Sequence, residues 1–151
     1  MQGFLPILLI NILFRKMPIL IPSLCKVYDF HHSTMWLNNG ILYAKYKHDL
    51  VIDVHVAKEI VKDRQKISAG ILRPILVDVT GILCVDADGR NYLAGPEGCE
   101  FISAGAIYTK NKLLAFVGNA FILLDKPQIP SKVFSCESTA VSWLELFKFP
   151  N

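Results

Sequence analysis

The sequence lacks the signatures that metal binding, nucleotide binding and hydrolytic catalysis need. Of its four cysteines, Cys25, Cys84, Cys99 and Cys136, no two form a CxxC pair, which removes a zinc ribbon or a dithiol redox motif. His31, His32, His48 and His55 stand neither at HxxxH spacing nor beside a cysteine ligand, so no metal site is indicated. Gly95-Pro96-Glu97-Gly98 and Ser103-Ala104-Gly105-Ala106 match neither a GxGxxG loop nor a P-loop. Ser103 lacks the GxSxG elbow, and Cys84 and Cys99 have no base beside them in sequence. Charge is sparse as well, at 19% of residues with a net +3. The longest basic accumulation, Lys58, Lys62, Arg64 and Lys66, is interleaved with Glu59 and Asp63 and reads as a solvated helix face. Trp36, Tyr43, Tyr46, Tyr92 and Trp143 are not interleaved with cations, so no stacking platform for nucleic acid is expected. These absences together predict no cofactor, no metal, no nucleic-acid partner and no enzymatic activity.

What is present is apolar. Hydrophobic residues make up 52% of 151 residues, enough for one domain with a sizeable core and too many for a disordered chain. Such a composition needs no disulfide staples, so four reduced thiols in a cytoplasmic protein are expected. Residues 1–26 stand apart as an apolar extension, with the domain proper over 27–151. The run Phe4–Phe14 is broken by Pro6 and Asn11 and followed by Arg15-Lys16, so it is shorter than the roughly 20 residues of a spanning helix. Its charges follow rather than precede the apolar stretch, unlike a signal peptide. Three readings stay open: a membrane-touching tail over 1–24, an extra packing element, or a start at Met17 or Met35. A later start or a disordered tail is favoured.

From Thr34 the pattern becomes regular. Met35–Leu37 and Ile41–Tyr46 flank Asn38-Asn39-Gly40, a tight-hairpin signal. Leu42, Ala44 and Tyr46 share one face, and Ile41, Tyr43 and Lys45 the other. Asp53 is placed to cap a helix over 54–67 whose stripe is Val54, Ala57, Val61 and Arg64 with Ile60 beside it, and Gly70 stops it. Pro74–Val79 is a continuous apolar run, as in a strand buried on both faces, and Thr80-Gly81 turns the chain. Asp86 caps a helix through Leu93 that ends near Gly95-Pro96. Phe101–Tyr108 reads as a strand, and Asn111–Phe121 as a helix turning Leu114, Val117 and Phe121 to the core. Lys132–Phe134 is a short strand, and Ser135 caps a last helix carrying Ala140, Val141, Leu144 and Phe147. The order β-β-α-β-α-β-α-β-α predicts an α/β fold with an N-terminal hairpin and a mostly parallel sheet.

The hairpin, the LVDVTG strand-turn at 76–81, the acidic helix start and the capped last helix together resemble a STAS domain, the fold of bacterial anti-sigma-factor antagonists and of the cytoplasmic tails of sulfate transporters. More closely, residues 30–148 resemble a bacterial family of uncharacterised STAS/SEC14-like proteins. The stretches that carry this are LVDVTG, DGRNYLAGPEGCEFISAGA (88–106), FVGNAFILLDKPQIPSKVF (116–134) and Ala140-x-x-Trp143-Leu144. In regulated STAS proteins a partner kinase phosphorylates the second serine of Asp-Ser-Ser-Gly at the start of the helix after the central strand. The matching run here is Asp86-Ala87-Asp88-Gly89, which puts Asp88 at the phosphorylated position. It cannot be phosphorylated, and one carboxylate is a poor mimic of a phosphoserine.

The resemblance implies a non-enzymatic regulatory or protein-interaction module, with an unidentified protein partner docking on Thr80, Gly81, Asp86, Asp88, Gly89 and Arg90. The plainer account of the two acids is that Asp86 caps the helix and Asp88 favours its positive end. Asp78 is expected at its strand end, bonded to loop amides. An exposed hairpin edge would be a second surface and would permit a homodimer. The SEC14 half of the resemblance implies an alternative, a small-molecule or lipid carrier. Ala104, Gly105, Ala106 and Gly118 would leave it room, or would simply let a helix pack tightly. An apolar cavity of about 300 Å³ or more separates the two functions.

Overall fold

The computed structural model describes residues 24–149. The expectations for residues 1–23 lie outside that range. The elements are β1 (Val27–Asp29), β2 (Ser33–Asn38), β3 (Ile41–Tyr46), β4 (Leu50–Ile52), α1 (Val54–Ser68), β5 (Arg73–Asp78), β6 (Ile82–Val85), α2 (Ala87–Ala94), α3 (Pro96–Cys99), β7 (Ile102–Tyr108), α4 (Lys112–Leu124), β8 (Ser131–Phe134) and α5 (Glu137–Glu145). Six strands form one sheet in the order β1-β2-β3-β5-β7-β8, antiparallel up to β3 and parallel from β3 onward.

The hairpin closes through Asn39 (φ 49°) and Gly40 (φ 79°), the pair of positive φ angles that a two-residue hairpin turn demands. It also sets the faces of the sheet. Met35, Leu42, Ala44 and Tyr46 point to one core with Ala57, Ile60 and Ile67 of α1. Trp36, Ile41 and Tyr43 point to the other with Leu76, Ala104, Ala106, Ala140 and Leu144, under α5. Trp36 and Tyr43 stack at 5.2 Å across the hairpin. Helices α1, α2 and α4 thus cover one face and α5 the other.

Several elements differ from expectation. Strand β1 pairs with residues 34–36 of the hairpin, so part of the edge expected to be open is covered. Strands β4 and β6 form a separate two-stranded parallel ribbon, Leu50–Ile52 against Ile82–Val85. Three and four residues are too short to display a strand period in sequence. The one-turn helix α3, with Pro96 at its start, follows α2 directly. The last helix begins at Glu137 after Cys136 rather than after Ser135. There the Thr139 hydroxyl donates to the Cys136 carbonyl, and no side chain caps the amides. Phe147 lies past the end of that helix, yet it packs on Trp143 at 4.9 Å.

Candidate functional site

The segment from β5 to α2 is held from both ends. Asp78 ends β5 almost fully buried, and its carboxylate accepts the Thr80 amide at 3.0 Å, the Asx-type closure expected for that position. The Gly81 carbonyl accepts the Leu50 amide, and a Cβ on Gly81 would stand 2.3 Å from the Lys47 carbonyl oxygen. Only glycine fits that approach. Asp86 caps α2 by accepting the Gly89 amide at 2.7 Å, and its own amide donates to Ile52. Gly89 is buried against β4, where a Cβ would lie 2.8 Å from the Ile52 carbonyl oxygen. Arg90 donates to Asp125 at 3.1 Å and to the Val85 carbonyl at 3.2 Å, which ties α2 to the end of α4.

Of the six residues named from sequence, Gly81, Asp86, Gly89 and Arg90 are therefore committed to holding the segment's shape, and Thr80 gives its amide to Asp78. Asp88 is exposed in the first turn of α2. Strand β6 intervenes between the central strand and this helix. The Asp86–Gly89 start consequently sits at the end of the β4–β6 ribbon, beside the start of α1, rather than directly after β5.

A second polar group assembles at the carboxyl ends of β5, β7 and β8, where ligands commonly meet parallel sheets. It contains Asp78, Tyr108, Cys136 and Glu137. Burial and then the neighbouring Asp78 carboxylate raise the Glu137 carboxyl. Burial, followed by Asp78 and Glu137, raises the Tyr108 phenol. Cys136 is exposed, and its thiol is lowered to about 7, first by the Ser138 hydroxyl and then by Thr139. Sequence reasoning missed this group because its members lie some 30 residues apart and only parallel pairing brings them to one end. Cys99 is the opposite case: it is buried, its thiol is raised by burial, and it faces the carbonyls of Leu93 and Ala94.

Between the sheet and helices α1, α2, α3 and α4 lies an apolar cavity of about 170 Å³. Ile75, Val77, Gly105 and Ile107 form its floor, and Leu114, Val117, Gly118 and Phe121 of α4 its roof. Of the four small residues expected to make room, Gly105 and Gly118 line it together with Ala106, whose side chain belongs, like that of Ala104, to the core under α5. The volume is below the roughly 300 Å³ at which drug-sized pockets begin. Only Gly118 of α4 is buried, with Val133 Cγ2 3.1 Å from where its Cβ would be. Leu114 and Phe121 are half-buried as expected, but Val117 is 43% exposed. Leu113, Phe116, Leu123 and Leu124 are 70–74% exposed. This helix therefore meets the sheet closely at Gly118 and leaves most of its large side chains outside.

The buried cation of the cavity is Arg64, 4% exposed on the stripe of α1. Its Nη1 donates to the Gly98 carbonyl at 3.0 Å. Its Nε and Nη2 are buried with no partner among the described residues. Burial pushes its pKa down, but an arginine stays charged. Leaving such a charge unpaired in apolar surroundings costs on the order of several kcal/mol.

Residues 35–148 match the model of a domain of unknown function, DUF7793. The chain belongs to that family. Among solved structures, an uncharacterised protein of the DUF3478 family with a SpoIIAA-like fold, from Shewanella loihica PV-4, is similar over 80% of this chain and 91% of that one, with a TM-score of 0.51 and 15% identity. At that identity the likeness is one of fold, and the fold is the STAS-like one expected. No curated protein matches the chain. Among the described residues no helix is long and apolar enough to cross a membrane, and no three His, Cys, Asp or Glu side chains are grouped to hold a metal ion.

Proposed function

We propose that the family member is a non-enzymatic regulatory module of STAS type, acting in the cytoplasm without a cofactor through an unidentified protein partner, and that residues 27–151 are its working domain. One observation carries the reading: Asp88 projects from the first turn of a helix whose start is locked by the Asp86 cap and by the close approach of Gly89 to Ile52. A preformed surface lowers the ordering cost of association, and one exposed carboxylate on it can select a cationic group on the partner. The phosphorylated position of regulated STAS proteins falls on this residue by resemblance, which supports docking there and leaves kinase switching without an acceptor. Carriage of a lipid is not favoured, because a cavity of about 170 Å³ is too small to enclose one.

The test is an affinity pull-down from the native cell lysate with wild-type and Asp88→Lys baits. A specific protein held by the wild type and lost by the variant is the expected outcome. Equal recovery removes Asp88 as a docking determinant. Recovery of nothing specific with either bait counts against the interaction module altogether.

A further inference from the structure

We infer that the cavity beneath α4 is a binding site for a small carboxylate with an apolar body, held by the free edge of the Arg64 guanidinium. This goes beyond the docking function and does not depend on it. Three observations meet at one place. First, Nη1 of Arg64 is spent on Gly98, and the two nitrogens without partners, Nε and Nη2, are those that form one edge of the guanidinium. That edge presents two parallel N–H groups, the fork that matches the two oxygens of a carboxylate.

Second, no acidic side chain lines the cavity. Its cations are Arg64 and Arg90, and Arg90 is already held by Asp125 and the Val85 carbonyl. Glu100 lies close enough to influence Arg64 but accepts from Gln65 instead. The one uncompensated charge in the site is therefore positive and belongs to Arg64.

Third, most of the remaining walls are apolar, Met35, Ile52, Ile75, Val77, Ile107 and Phe121 among them, with Tyr46, Cys99 and Ser131 as the polar exceptions. An apolar cavity of about 150 Å³ is known to hold a benzene-sized molecule. The space of about 170 Å³ here thus suits a body of roughly six to ten non-hydrogen atoms, a short aliphatic chain or one ring. Gly105 lies in the floor and Gly118 in the roof, where α4 comes within contact distance of Val133 and Ile107. The loosely seated α4 provides the way in.

The experiment titrates the full chain with hexanoate, octanoate and phenylacetate, and with 1-hexanol as the neutral control, following the methyl resonances of Ile75, Val77 and Ile107 by NMR. At least one carboxylate is expected to bind with a Kd of about 1 mM or tighter, and hexanol at least about tenfold more weakly. Arg64→Met keeps the packing of the side chain and removes the fork, so it should abolish the preference for the acid over the alcohol. Gly105→Leu leaves Arg64 in place and fills the cavity, so it should remove binding of both. Circular dichroism confirms the fold of each variant, and if one fails to fold the other still decides. Binding of hexanol as tight as hexanoate, an unchanged preference in Arg64→Met, or no methyl shifts with any of the three acids would each overturn the assignment.

Discussion

The two halves of the helical cover bury very different things. Helix α1 seats Ala57, Ile60, Val61 and Ile67 against Met35, Leu42 and Ala44, all at least nine-tenths buried, and it buries the polar Arg64 and Ser68 as well. Helix α4 is the more apolar of the two in sequence, KLLAFVGNAFILL, with no charge between Lys112 and Asp125, yet it buries one glycine. The contrast shows that apolar content does not decide burial: what matters is whether the facing surface has side chains to receive it. Beneath α1 the hairpin and β5 supply Leu42, Ala44 and Ile75. Beneath α4 strand β7 supplies Gly105, and the shortfall becomes a cavity. Five large side chains on α4 then remain on the outside, at an exposure usually associated with an interaction surface.

The sharpest way to break this comparison is to truncate one side chain in each region. Leu76→Ala, in the fully buried central strand, should cost about 2–5 kcal/mol in urea unfolding, whereas Leu113→Ala on α4 should stay within about 0.5 kcal/mol. Equal losses would mean that α4 is packed by something outside the described residues. A next, smaller contrast uses two glycines. Gly81→Ala drives a Cβ to 2.3 Å from a backbone oxygen and should cost about 1–3 kcal/mol or more. Gly118→Ala meets side-chain methyls of Val133 at 3.1 Å and Ile107 at 3.5 Å rather than backbone, and it relieves a helix-interior glycine, so it should be neutral or stabilising by up to about 1 kcal/mol. A large loss at Gly118 would show that α4 is seated more firmly than its exposure implies.

Within the proposed docking segment the two acids should separate. Asp86→Ala removes the cap and should lower stability by about 1 kcal/mol, while Asp88→Ala should change it by less than about 0.5 kcal/mol and act on partner recovery instead. Thermal unfolding followed by circular dichroism distinguishes them, and equal losses would assign both acids to structure. The smallest effect is a titration read by chemical labelling. The lowered thiol of Cys136 means its thiolate accumulates at lower pH than that of an ordinary cysteine. Iodoacetamide labelling of Cys136 should therefore rise with a midpoint near pH 7, and Ser138→Ala should move that midpoint upward. A midpoint that stays put in the variant would remove the Ser138 hydroxyl as the cause.

Much of the fold was legible because it rests on local chemistry. The Asn39-Gly40 turn, the Asp53 and Asp86 caps and the β-branched run before Asp78 each announce an element from a few adjacent residues. Arg64 reads from sequence both as part of the solvated basic face and as part of the apolar stripe of α1; the structure corrects the first reading, since Arg64 is buried, and nothing in the sequence shows that two of its nitrogens lack partners. The missed elements, β1, β4, β6 and α3, are three or four residues long and exist because a neighbouring strand or helix completes their hydrogen bonds. Val117 faces the cavity as expected, but its burial was misjudged: helical spacing fixes which residues share a side, and only the depth of the facing surface says whether that side is covered.

The sequence by itself thus determined the element order, the caps, the turn chemistry and the parallel α/β class, since all of these are decided within a few residues of chain. Tertiary structure decided the rest. Asp78 meets Tyr108 and Glu137 through parallel strand pairing, and the β4–β6 ribbon carries the start of α2 away from the central strand. The cavity and the half-satisfied Arg64 arise between the sheet and helices that lie far apart in sequence. Such features depend on the distance between surfaces, and that distance is set by every side chain between them at once.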